Sequence, residues 1–184
     1  MVKINPDNFF PDAAVMPLSL AEFIEDATEQ MPRVGDVFGS EKDLRESLAV
    51  DGTASPATRN AQIVRTVCLP NTYIAGGDIT LSVVSALTET INTSAFIDAT
   101  VFKKAAAGTK SGGDLNQTDQ QDINRTGHLT DEFTIDGSGL NPGDELLIAI
   151  KISLNDTGSA SAGDKKAELT SAFLTMTTRG GLIA

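Results

Sequence analysis

The chain has 184 residues, which suits one domain with an appendage. Its 14 Lys/Arg against 25 Asp/Glu give a formal net charge of −11, a field that repels phosphate and speaks against nucleic acid or an anionic membrane as a partner. With no Trp and one tyrosine, Tyr73, the rings on which sugars and bases stack are scarce.

Residues 1–60 read as an extended N-terminal arm. They hold Pro6, Pro11, Pro17, Pro32 and Pro56, five of the seven prolines, and each interrupts regular structure. Five Lys/Arg against eleven Asp/Glu leave this segment at −6. Two short helices are expected in it. Ser19 caps the first, with Glu22 completing a capping box. Leu20, Phe23, Ile24 and Ala27 then form one apolar stripe, and Pro32 and Gly35 stop it. The second starts near Ser40 and runs to Leu48, with Leu44 and Leu48 one turn apart. Such helices are too short to stand alone. The arm residues Phe9, Phe10, Leu20, Phe23, Ile24, Leu44 and Leu48 are therefore the expected partner-binding positions, docking either on the chain's own sandwich or on a neighbouring subunit.

Residues 53–60 (TASPATRN) read as a linker. From 61 to 184 the spacing switches to alternation, and strands are expected at 63–69, 78–88, 94–104, 128–135, 145–154 and 166–178. Shorter ones fit near 73–75 and 115–124. Ile79, Leu81 and Val83 share one face. Phe96 and Phe102 oppose Ile97, Ala99 and Val101. Leu146, Ile148, Ile150, Ile152 and Leu154 make the most apolar row. In the last strand, Leu169 and Phe173 are expected opposite Ala172, Leu174 and Met176. Asp136-Gly-Ser-Gly139 and Asn141-Pro-Gly-Asp144 are turns. The expected fold class is all-β, a jelly-roll-like antiparallel β-sandwich behind the helical arm.

Chemistry is thin. Cys68 is the one cysteine, so no intrachain disulfide can form, and its strand position suggests a small buried hydrophobe. His128 is the one histidine and has no nucleophile motif near it. Asp114-Leu-Asn116-Gln-Thr118-Asp119 opens like a calcium loop, but glycine and glutamate are absent where such a loop needs them. It reads as a polar loop. Asp131 and Glu132 are adjacent on a strand and point to opposite faces, which does not pair them for glycoside hydrolysis. No catalytic, metal or cofactor residue is expected, and an enzyme is not. No run approaches the ~18 apolar residues of a membrane helix.

The stretch Leu69-Pro-Asn-Thr-Tyr73-Ile-Ala-Gly76-Gly77-Asp78-Ile-Thr-Leu81, then Ile97-Asp-Ala-Thr-Val-Phe102, resembles jelly-roll virion proteins of tailed phages. So does Phe133-Thr-Ile followed by Gly139-Leu-Asn-Pro-Gly143-Asp144-Glu-Leu-Leu-Ile148. The pattern is similar to capsid cement or decoration proteins and covers residues 63–178. The resemblance implies a non-enzymatic virion component, commonly a homotrimer, assembled in the host cytoplasm. Its partner would be the major capsid protein, clamped on the outer capsid surface. The alternatives are another phage jelly roll (tail, neck or fibre base) and a carbohydrate-binding β-sandwich.

Overall fold

The computed structural model describes residues 11–18, 24–25, 33–34, 48–51, 58–91, 94–104, 110–155 and 166–179. They contain twelve strands: β1 (Pro11–Leu18), β2 (Ile24–Glu25), β3 (Arg33–Val34), β4 (Leu48–Asp51), β5 (Thr58–Cys68), β6 (Ile79–Leu87), β7 (Ser94–Lys104), β8 (Lys110–Ser111), β9 (Gln121–Asp122), β10 (Leu129–Ile135), β11 (Glu145–Asn155) and β12 (Lys166–Arg179). One sheet has the order β10-β6-β12-β4-β3, with β1 also on β12. The other has the order β2-β5-β11-β7-β8, with β9 also on β7. All pairings are antiparallel. The long strands from β5 onward alternate between the two sheets. The fold is a jelly-roll-like β-sandwich.

Alternation builds the core. Leu146, Ile148, Ile150, Ile152 and Leu154 of β11 lie inside, flanked by Ala95, Ile97, Ala99 and Val101 of β7. From the opposite sheet come Ile79, Leu81 and Val83 of β6 and Phe133 and Ile135 of β10. Each large side chain so buried contributes roughly 1.5–3 kcal/mol of transfer free energy. The β12 parity departs from the simple reading. A bulge between Leu169 and Ser171 shifts the register by one residue. Leu169 therefore shares the inner face with Ala172, Leu174 and Met176, while Phe173 turns outward and is half-buried.

Three expectations change in the N-terminal part. Residues 58–60, read as linker, already belong to β5. Residues 11–18, read as arm, form a full strand paired with β12, and Leu18 reaches the core. Ile24–Glu25 and Leu48–Asp51, placed in the expected helices or at their end, are strands on β5 and β12. A short helix must satisfy itself, whereas a sheet edge offers ready backbone partners. The rest of both expected helices lies outside the described residues.

The same segment closes one side of the sandwich. Its strands pass from one sheet (β1) to the other (β2) and back (β3, β4). The other side is closed by residues 110–123, which bond to β7 and to β10. Leu115 N–H donates to Val101 O (2.8 Å), and Gln117 N–H to Thr134 O (2.8 Å).

Candidate functional site

Among the described residues, polar side chains gather at three places, and in each they hold backbone. The first lies at one end of the sandwich. Register pairs Ser85 of β6 with Leu129 and Val83 with Asp131 of β10, so Ser85 and Asp131 are diagonal neighbours on the inner face. The Ser85 hydroxyl donates to Asp131 Oδ2 at 2.5 Å. Arg125 reaches the same oxygen at 2.6 Å and Ser85 Oγ at 3.2 Å. Its other amino group donates to Asp122 O at 2.6 Å. Its carbonyl accepts from Leu87 N–H at 2.7 Å. Beside it, Asn124 brackets the backbone of Ile91, accepting from its N–H and donating to its carbonyl, both at 2.8 Å. This cluster pins the 122–130 segment over the end of the core.

Serine, carboxylate and histidine come near one another here, but no relay forms. His128 Nε2 faces Glu168 Oε2 at 3.4 Å, with Glu168 buried on β12. The Ser85 hydroxyl is committed to Asp131 instead. A nucleophile needs its base within hydrogen-bond reach.

The second place is the calcium-like stretch. Asp114 Oδ1 accepts from Val101 N–H (2.8 Å) and Asn116 N–H (3.0 Å). Asn116 donates to Ala99 O (2.7 Å) and Thr118 O (2.8 Å). Thr118 Oγ1 accepts from Thr134 N–H (2.9 Å). These groups replace a missing strand along the β7 edge. Among the described residues no His/Cys/Asp/Glu group has the arrangement of a metal centre.

The third is the turn cluster around Tyr73. Tyr73 is fully buried and its hydroxyl donates to Gly77 O. Burial pushes the phenol's pKa up, and the carboxylates of Asp78, Asp136 and Asp144 add to the effect, so it stays a donor. Gly137 packs onto this bond, and Gly143 adopts φ +83°, which suits glycine at the tip of the Asn141–Asp144 turn. Asp144 closes that turn, accepting from Asn141 N–H (2.8 Å) and from Lys103 Nζ (2.6 Å). Partial burial raises the Asp144 pKa, but Lys103 and the Asn141 N–H together outweigh it and hold the carboxyl below its ordinary range. A carboxyl depressed in the folded state stabilises above its unfolded pKa of about 4 and loses that contribution as pH falls through the folded value. The melting temperature of the wild-type chain should therefore exceed that of Asp144→Asn at pH 7. The gap should close below about pH 4, where the carboxyl protonates. A gap that persists unchanged at pH 2 would reject this role.

Phe9, Phe10, Leu20, Phe23 and Leu44 lie outside the described residues. Ile24 pairs with Val64 in one sheet and Leu48 with Leu169 in the other, so the structure places these two on opposite layers. Cys68 corrects its expectation. It is exposed on the outer face, because its strand position has the parity of Thr66 rather than of Val67. In the sequence, Asp131 figures only as half of an acidic pair with Glu132, and Arg125 and Ser85 carry no expected role. The signal was there in Asp131, a charge at the inward parity of Phe133 and Ile135, which demands a buried partner.

No family profile and no curated protein matches the chain. Among solved structures, it is similar to the CBM22-1 xylan-binding domain from Paenibacillus barcinonensis (10% identity, TM-score 0.49, covering 93% of this chain and 97% of that one). It is also similar to the CBM36-1 domain of a multidomain xylanase from the hindgut metagenome of Trinervitermes trinervoides (13%, 0.42, 94% and 100%). A third is the C-terminal family 22 carbohydrate binding module of Clostridium thermocellum (11%, 0.44, 98% and 100%). The fold class rests on the two sheets themselves.

Proposed function

We propose that this chain is a non-catalytic β-sandwich that acts through its surface, as a virion structural protein that bridges neighbouring subunits of the major capsid lattice. One observation carries the non-catalytic part. The groups able to do chemistry at the two most polar clusters, Ser85, the two amino groups of Arg125 and Asp131, then Asp114, Asn116 and Thr118, hold backbone and one another. The resemblance of residues 63–178 to phage cement proteins supports the finer part. A bridging protein needs a rigid sandwich and many modest contacts that add by multivalency. The test is co-sedimentation with preformed capsids of the encoding phage, followed by thermal challenge. Bound chain and capsids that survive higher temperature are expected. Failure to bind intact capsids would reject the reading.

A second reading has its own observation. Phe96 and Phe102 lie half-buried on the outer face of β7, with Asp98 and Thr100 between them. Ring faces flanked by polar groups suit a carbohydrate chain. Retention on a glycan array, abolished by Phe96→Ala together with Phe102→Ala, would favour this reading over the virion one.

A further inference from the structure

We infer that the outer edge of β1 is a self-association surface, on which a second copy of this chain adds its own β1 antiparallel. Among the described residues, β1 is the longest strand with no neighbour along one side. The β7 edge is flanked by β8, β9 and the 114–116 backbone, part of β10 by residues 116–118, and β5 by β2. β1 itself is templated over its whole length by β12, from Pro11 opposite Arg179 to Leu18 opposite Ala172.

The direction of its backbone groups follows from β12. Ile74 N–H donates to Thr177 O (3.0 Å) and Arg179 N–H to Thr72 O (2.7 Å), so these odd-numbered residues turn away from β1. The even-numbered ones, Ala172, Leu174, Met176 and Thr178, turn toward it and bond to their partners Leu18, Met16, Ala14 and Asp12. On β1 the odd residues therefore point outward at the open edge. Pro11 and Pro17 fall there, where a missing N–H breaks no ladder bond. Ala13 and Val15 present both N–H and C=O.

The side chains at this edge favour a second copy. Val15 is 62% exposed, one of two large apolar side chains so exposed among the described residues. Ala13 and Pro17 beside it are exposed too. The edge carries no lysine, and its guards are Pro11 and Pro17, which leave the backbone groups of Ala13 and Val15 open between them. Pairing about a two-fold axis at Val15 lets the two valine backbones exchange both bonds. Each Ala13 N–H then meets the carbonyl of the copy's Pro17. The same register sets the valine side chains against each other as a β-branched cross-strand pair. It places Asp12, the only charged residue of β1, in register with Leu18 of the copy rather than with the copy's Asp12.

Light scattering on the full-length chain should give a dimer mass. Val15→Lys, which sets two ammonium groups face to face, should give the monomer mass and a concentration-independent melting temperature, while that of the wild-type chain rises with concentration. In a Cys68→Ser background, Val15→Cys should form an intermolecular disulfide on mild oxidation, since opposed residues of a bonded pair sit about 5.5 Å apart at Cα. Thr66→Cys, exposed on the other sheet, should not. A monomer at every concentration would overturn the proposal. So would a dimer that tolerates Val15→Lys. An edge that takes only a foreign strand would show itself as that monomer.

Discussion

Arg125→Met is expected to destabilise the chain by about 3–5 kcal/mol, lowering Tm by roughly 10 °C or more. The reason lies in what the substitution leaves behind. Asp131 is 8% exposed, in an apolar layer beside Phe133, and the Arg125 guanidinium sits 2.6 Å from its Oδ2. Without it, one serine hydroxyl remains to serve a buried carboxylate, and the segment from Asp122 to Leu129 loses its anchor. The loss is not a measure of what the pair adds. Replacing both partners by apolar residues, Arg125→Met with Asp131→Leu, should recover most of the stability, because desolvating two charges offsets much of their attraction. Calorimetry on the two single variants and the double variant completes the cycle. A single-variant loss under about 1 kcal/mol would place the pair among ordinary surface ion pairs and refute the structural role.

Gly137→Ala is expected to cost about 3 kcal/mol, at the upper end for overpacking. A β-carbon built there would lie 1.9 Å from Gly77 O, 2.5 Å from Gly77 C and 2.7 Å from the Tyr73 hydroxyl oxygen. The first two are backbone atoms in a turn and cannot swing aside. To admit the methyl group, the 136–140 turn must move away. That motion weakens the bond from Gly137 N–H to Asp78 (3.2 Å), the bond from Leu140 N–H to Gly137 O (2.9 Å) and the Tyr73 contact to Gly77. Gly139→Ala is the matched control. Nothing lies within 4 Å of its β-carbon position, so its effect should stay within about 0.5 kcal/mol. Equal melting temperatures for the two variants would show that the close approach at Gly137 is unimportant.

The alternating rows of β6, β7 and β11 were legible because each residue's face follows from its parity alone. Ile79, Leu81 and Val83, and the five inward residues of β11, went where a period of two sends them. The Asn141–Asp144 turn was legible for an equally local reason, since proline and glycine restrict φ on their own. Leu169 was not, because a bulge inserts one residue and inverts every parity before it. Ile24 and Leu48 were not either. Their stripes match helical spacing, and only the presence of open edges on β5 and β12 makes a strand the better answer.

The sequence by itself determined the all-β class, the core rows and the turns, since those depend on neighbours along the chain. The tertiary structure alone decided which polar residues matter. Arg125 and Asp131 are six residues apart, but Ser85 is a further forty away, and Asn116 and Thr118 of the calcium-like stretch find their partners on β7 and β10. Whether a polar side chain binds a ligand or closes a backbone gap is set by what the fold brings against it, and no local pattern carries that information.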